Sequence, residues 1–230
     1  MYISDFNYFR PKSIKEATTL LENSDDGAPI AGGTDLLVEI KQGLRHHEDI
    51  ISLTDIEELK IISEVPEGIF LGAGLTHNEL ISSTIIINKL PAIAQAASKI
   101  GCDQVRNKGT IGGNICTAAS CCDLGPVLLT LNASVELASS VETRTVPLID
   151  FFVFHRKTTI KKGELVTRIF VPHPEPYTRV YFEKFGLREA AAVSVASVAV
   201  MVKLHEGVCD DACIVIGAVA DQRRKTVCPM

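Results

Sequence analysis

The sequence predicts an α+β protein, and three observations carry the prediction. Apolar runs over residues 11–59 alternate between helical spacing and short β-like stretches. From residue 134 the apolar residues instead alternate with polar ones in hairpin fashion. Beyond a proline run, Pro172, Pro174 and Pro176, three strand-like runs suggest an antiparallel sheet.

In the N-terminal stretch, Pro11-Lys12-Ser13 precedes Ile14 to Leu21, where Ile14, Ala17, Leu20 and Leu21 fall at helical spacing, and Ser13 with Glu16 has the spacing of a capping box. Pro29-Ile30-Ala31 reads as a short strand running into a glycine loop, and Leu36 to Gln42 as a short helix after it. Asp49 to Leu53 is a further strand, and Ile56 to Leu59 a turn or short helix. Ile69 to Gly74 is a strand ending in small residues. Thr76 and Glu79 again have capping-box spacing at a helix start, and Pro91 to Ile100 is helical with Ile93, Ala96, Ala97 and Ile100 on one face. Gly101 to Asn107 leads to a second glycine loop, and Leu124 to Leu131 is a buried helix or turn entered at Gly125-Pro126. Ser134 to Ala138 and Arg144 to Pro147 alternate like a hairpin. Phe151, Phe152 and Phe154 form an aromatic cluster near Lys157, and Glu164 to Val171 is a strand ending at Pro172.

The proline run favours extended backbone and marks a boundary. Beyond it, Arg179 to Leu187, Ala192 to Leu204 and Ala212 to Ala220 are strand-like. Three regions are therefore expected: 1–55, 56–173 and 178–230. A sheet of this kind needs helices on one face, and the sequence reaches Pro229-Met230 without supplying them. The expectation is an incomplete C-terminal α+β domain with an exposed apolar face, either a truncated product or a natural short form.

Two glycine segments carry the chemical signal. The first is Ala31-Gly32-Gly33-Thr34-Asp35-Leu36-Leu37; the second is Thr110-Ile111-Gly112-Gly113-Asn114, with Asp123 shortly after it. Glycine pairs let the backbone enter positive φ and turn N–H groups toward one point, a nest that binds phosphate oxygens without a lysine. Two such segments suit a ligand with two phosphates, or a phosphate and a long polar tail, such as a dinucleotide. Gly-x-Gly-x-x-Gly follows none of the predicted strands, so the Rossmann arrangement is not expected.

Bulk properties narrow the class. The 230 residues are 46% hydrophobic and 22% charged, ordinary for a globular protein, and a net charge of −5 gives no reason to expect nucleic acid or an anionic membrane as partner. The longest apolar run, Ala190 to Val202, is too short to span a membrane, and Met1-Tyr2-Ile3-Ser4-Asp5 is not a signal peptide; a cytoplasmic protein is expected. Seven cysteines without a C-x-x-C pair read as thiols of a reducing compartment. Cys102, Cys116, Cys121 and Cys122 lack iron–sulfur spacing, and His46-His47 beside Glu48 and Asp49 reads as solvated surface, so no metal site is expected. No Ser-His-Asp or paired-carboxylate constellation stands out, and no catalytic residue is assigned.

Three runs resemble a known family: Ala31 to Leu36, Gly72 to Leu80, and Gln104-Val105-Arg106-Asn107-Lys108-Gly109-Thr110-Ile111-Gly112-Gly113-Asn114-Ile115, with Lys184 and Arg188 also matching. The chain resembles the FAD-binding medium subunit of the molybdenum hydroxylases, a family that includes the FAD subunit of xanthine dehydrogenase and the medium chain of carbon monoxide dehydrogenase. The resemblance extends from Phe6 to about Ala220. It implies a two-part PCMH-type module, similar to that of vanillyl-alcohol oxidase, followed by a C-terminal α+β domain. It implies FAD as cofactor, with Ile30, Ala31, Gly32, Gly33, Thr34, Asp35, Leu36 and Leu37 around one side of the pyrophosphate and Thr110, Ile111, Gly112, Gly113 and Asn114 on the other. Asp123 would meet the flavin's polar tail or ring edge, and Leu165, Val166 and Lys184 would make further contacts.

The implied partners are a large molybdenum-cofactor subunit and a small subunit with [2Fe–2S] clusters. Electrons would pass through FAD to NAD+ or another acceptor, so the chain is expected to be an oxidoreductase subunit rather than a self-contained catalyst. Two departures from the family pattern stand out: Ser120-Cys121-Cys122 ahead of Asp123, and the run Asp221 to Met230. His77 has two open readings, flavin contact or a helix start; Arg106 could meet a phosphate or cap the preceding helix; Lys184 could lie near the flavin or pair elsewhere. Two other functions stand beside the main one: a scaffold subunit without FAD, and a stand-alone flavin oxidase.

Overall fold

The computed structural model describes residues 5–188, 191–219 and 224–228. Strand β1 (Asn7–Phe9) leads to helix α1 (Ile14–Asn23), whose cap behaves partly as its sequence suggests. Ser13 Oγ accepts from the Glu16 N–H at 3.2 Å, but the Glu16 carboxylate accepts from the Lys12 N–H at 2.8 Å, one residue short of the reciprocal bond. Strand β2 (Gly27–Ile30), helix α2 (Leu36–Lys41) and strand β3 (Asp49–Ser52) follow. The strands form a parallel sheet in the order β1-β3-β2, with α1 and α2 in the crossovers. Glu57–Lys60 forms a single 3-10 turn.

The second sheet is antiparallel, in the order β4-β5-β10-β6-β7: β4 (Ile62–Val65), β5 (Gly68–Gly72), β6 (Ser134–Ala138), β7 (Thr143–Pro147) and β10 (Leu165–Pro172). Between β5 and β6 run α3 (His77–Ser82), α4 (Thr84–Lys89), α5 (Pro91–Ser98), α6 (Asp103–Arg106), α7 (Ile111–Thr117) and α8 (Leu124–Thr130). The capping box on α3 is complete: Thr76 Oγ1 accepts from the Glu79 N–H and the Glu79 carboxylate accepts from the Thr76 N–H at 2.7 Å. Between β7 and β10, α9 (Leu148–Phe151) and the small pair β8 (Phe152–Phe154) and β9 (Lys157–Thr158) carry the aromatic run. Phe151 is fully buried, whereas Phe154 is half exposed, so the run is core at one end and surface at the other.

The C-terminal sheet contains β11 (Thr178–Gly186), β12 (Ser194–His205), β13 (Val208–Gly217) and β14 (Arg224–Cys228), all antiparallel. The fourth strand lies in the run that departs from the family pattern; residue 190, the start of the longest apolar run, residue 220, the end of an expected strand, and residues 221–223 and 229–230 lie outside the described residues. Helices are not missing from the inner face of this sheet. Helices α5 and α8, earlier in the chain, pack on it, and Phe182, Ala199, Cys213 and Val215 join one core with Ile93, Leu124, Val127 and Leu128. The fully buried Phe, Val, Leu and Ile side chains among them are each worth about 1.5–3 kcal/mol of transfer free energy. The outer face is apolar and open, with Tyr181, Phe185, Ile214 and Ile216 exposed.

Candidate functional site

The first glycine segment follows strand β2 and the second follows helix α6, and the structure brings them into contact. A Cβ on Gly32 would lie 1.9 Å from the Lys108 carbonyl oxygen, so the first loop sits against the backbone leading into the second segment. Gly33 has φ +69 and is the one glycine of the four in the left-handed region. The N–H groups of Gly32, Gly33, Thr34 and Asp35 make no hydrogen bond among the described residues and are free for a ligand.

The second segment differs from the expected loop. Thr110 caps α7, its Oγ1 accepting from the Gly113 N–H at 3.0 Å, and both glycines lie in the first helical turn. The Ile111 N–H bonds to Leu75 O, the Gly112 N–H to Ala73 O and the Asn114 N–H to Thr110 O, each at 2.9 Å. The first-turn donors are therefore engaged within the protein. Glycine is needed at 112 for closeness, because a Cβ there would lie 2.6 Å from Ala73 O.

Two cavities meet along these segments. One, of about 320 Å³, is walled by apolar groups including Leu21, Pro29, Leu53, Leu59, Leu165 and Val166, and reaches Thr110, Gly112 and Gly113. The other, of about 340 Å³, runs along residues Ile30 to Leu36 and reaches Thr110, Gly113, Thr117 and Arg156. Ala31, Thr110, Gly113 and Cys116 line both, so the two form one bent cleft. An apolar chamber joined to a groove with free backbone donors fits a dinucleotide, with a base in the first and a pyrophosphate along the second.

The remaining expected residues are placed differently. Leu37 and Ile111 lie beneath the cleft, Leu37 against Gly33 and Ile111 fully buried. Asn114 Oδ1 accepts from Cys122 Sγ at 2.8 Å. Asp123 and Lys184 lie apart from both cavities and bond to each other at 2.6 Å, with Ser194 donating to the same carboxylate and Lys184 Nζ also donating to Lys99 O at 2.9 Å. Burial pushes the Asp123 carboxyl up, against the bonds from Lys184 and Ser194. Asp123 holds the first position before α8 yet makes no cap bond to it; its carboxylate ties the C-terminal sheet to the helix instead.

Other open readings resolve locally. Arg106 donates to Ile100 O at 2.8 Å, just past α5, and pairs with Asp103, the capping arrangement. His77 is buried at the start of α3, packed under Gly109, with Nδ1 lacking a partner; burial, aided by the Arg106 charge, lowers it from 6.5 to about 4. His46 is exposed, and His47 Nδ1 lies 2.9 Å from Asp26 Oδ1.

Sequence reasoning missed Cys116, Thr117, Glu39 and Arg156 on the cleft. Thr117 Oγ1 donates to Asp35 Oδ2 at 3.1 Å, and Arg156 bonds to Glu39. Cys116 stands two residues past Asn114, among the thiols expected of a reducing compartment; burial pushes it up to about 12, so it is an uncharged wall of the cleft. Among the described residues, no helix is long and apolar enough to cross a membrane.

A parallel-sheet unit and an antiparallel unit meet at two glycine segments, with no Rossmann fingerprint after the strands. Residues 4–174 match the family described as the FAD binding domain in molybdopterin dehydrogenase, and the chain belongs to that family, its cofactor FAD. The chain is 36% identical to the glyceraldehyde dehydrogenase medium chain of Sulfolobus acidocaldarius, over 96% of this chain and 78% of the relative. It is 34% identical to the nicotinate dehydrogenase FAD-subunit of Eubacterium barkeri, over 90% and 72%. Among solved structures, a chain of the Cu,Mo-CO dehydrogenase in its cyanide-inactivated form matches with a TM-score of 0.94 and 33% identity, covering 98% of this chain and 79% of that one. The chain is thus a medium-subunit type of oxidoreductase component.

Proposed function

We propose that this chain carries FAD as the electron-transfer subunit of a cytoplasmic, heteromeric molybdenum hydroxylase. Its partners are a large molybdenum-cofactor subunit and a small subunit with [2Fe–2S] clusters. FAD supplies two-electron chemistry on one side and one-electron chemistry on the other, linking those clusters to NAD+ or another acceptor.

The observation that carries the proposal is the row of free N–H groups from Gly32 to Asp35, in a loop pressed against Lys108 and Gly109. These donors would hold the pyrophosphate, with Ile30, Ala31 and Leu36 shaping the loop and Leu37 supporting it. Thr110 and Gly113 form the facing wall, with Ile111, Gly112 and Asn114 fixing it; Leu165 and Val166 enclose the base in the apolar chamber. Asp123 and Lys184 would reach the flavin end by exchanging part of their mutual bond for the cofactor. The regions 1–55, 56–173 and 178–230 are the units this reading uses.

Two measurements test it. A tagged chain isolated from its own cells is expected to bring molybdenum and iron with it in fixed ratio; a chain isolated without either metal contradicts the assembly. NADH added anaerobically to the isolated complex is expected to bleach the flavin band if NAD+ is the acceptor; an unchanged band assigns the acceptor elsewhere.

A further inference from the structure

Arg156 sits at the turn between β8 and β9, yet it touches both glycine-bearing units. Its backbone N–H donates to Ala118 O at 3.0 Å, at the left-handed residue that ends α7. Its guanidinium bonds to Glu39 of α2, the helix that continues the first glycine loop. Glu39, with its side chain 12% exposed, also takes a bond from Arg45 at 2.8 Å. One turn before Glu39, the α2 N-cap Asp35 accepts from Thr117, the last residue of α7. The far rim of the cleft is thereby stapled twice, and both staples join the same two elements.

We infer that Arg156 is a positioning residue for the cofactor: by holding Glu39 to the end of α7, it fixes the width of the cleft between the two glycine segments. The inference rests on the cofactor reading of that cleft. Local stability alone gives the bond little purpose. Glu39 keeps Arg45 if Arg156 is removed, so no carboxylate is stranded. The bond spans 117 residues, and what it couples is the separation of two facing walls.

FAD titration of the 230-residue chain, freed of bound flavin, tests this in the wild type and in R156M, E39Q, the R156M/E39Q double variant, R156K and G33V. G33V alters the loop that carries the free donors and so tests the site itself. The expected result is loss of binding in G33V and about fivefold weaker binding in R156M and E39Q, the size of a half-exposed ion pair. The double variant is expected to be no weaker than about the worse single one, because both remove one interaction. R156K is expected to restore most of the affinity and the visible circular dichroism of the bound flavin. Unfolding midpoints of the flavin-free chains are expected to stay within a few degrees of wild type.

If G33V loses FAD while R156M binds as tightly as wild type, the inference is overturned and the site reading stands. If R156M binds more weakly only in proportion to a lower midpoint, with no recovery in R156K, the residue is merely structural and the inference also falls. A folded wild-type chain that takes up no FAD overturns the site reading itself.

Discussion

Gly32→Ala is the substitution whose cost can be worked most directly. The new Cβ would stand 1.9 Å from Lys108 O and 2.9 Å from Gly109 N, and relief to 3.4 Å, where ordinary contact begins, needs a 1.5 Å shift (3.4 − 1.9). The neighbour is backbone held in place: the Gly109 N–H bonds to Val105 O at 2.6 Å, and Gly109 O accepts from the His77 N–H at 3.0 Å. Overpacking of this kind costs about 3 kcal/mol at the upper end of its usual range. For a chain of this length, that lowers the unfolding midpoint by roughly 6–12 °C. The same shift would swing the free donors away from the pyrophosphate position that the proposed function gives them. Losing two bonds to a charged group, about 3 kcal/mol together at the low end, weakens FAD about a hundredfold. Gly43→Ala is the control, since Gly43 has φ +72 with nothing within 4 Å; it bears only backbone strain of about 1 kcal/mol. Calorimetry and flavin titration on both variants check the prediction. A Gly32→Ala chain matching Gly43→Ala in midpoint and FAD affinity would refute the reasoning.

Three further outcomes follow from charge and burial. His77 has a folded pKa depressed from 6.5 to about 4, so the unfolded chain binds the proton first as pH falls. The wild type should match His77→Gln in pH dependence above pH 6.5, then lose about 3 kcal/mol more between pH 6.5 and 4, by urea unfolding at stepped pH. Glu164 takes a two-pronged bond from Arg144, at 2.7 and 2.8 Å, and a third from the Lys161 N–H; the Arg144 bond first, and against burial, holds its carboxyl below the ordinary 4.5. Glu164→Gln should cost about 1–2 kcal/mol at pH 7, allowing for the partial exposure of Arg144, with the deficit present above pH 4.5 and vanishing as pH falls below it. Cys116, with its thiol pushed up to about 12, should resist iodoacetamide at pH 8 in the native chain and react on unfolding, as read by peptide mass spectrometry.

What could be read from the sequence was local. Ser13 and Thr76 announced their helices because a cap is decided within four residues, and β6 with β7 showed its two-residue alternation. Strand β1 escaped because three residues carry no period and its partner, β3, lies about forty residues away. Gly112 and Gly113 read as a loop because glycine disfavours helices, yet the close approach of Ala73 leaves room for nothing larger at 112. The cover of the C-terminal sheet came from α5 and α8, formed long before it in the chain, so its last residues held no sign of it. For the candidate site, the glycine segments and Leu165 with Val166, which line the cleft, could be picked out through resemblance. Arg156, on the same cleft, could not, since its contact is with Glu39, which is remote in sequence.

The central claim is that the cleft between the two glycine segments holds one FAD. The most direct measurement is the flavin content of the purified chain, released by denaturation and identified, followed by titration of the flavin-free chain with FAD and with ADP as competitor. The account predicts one FAD per chain, displaced by ADP, because the loop from Gly32 to Asp35 grips the pyrophosphate. A folded chain that carries no flavin and takes up none when FAD is added would contradict it.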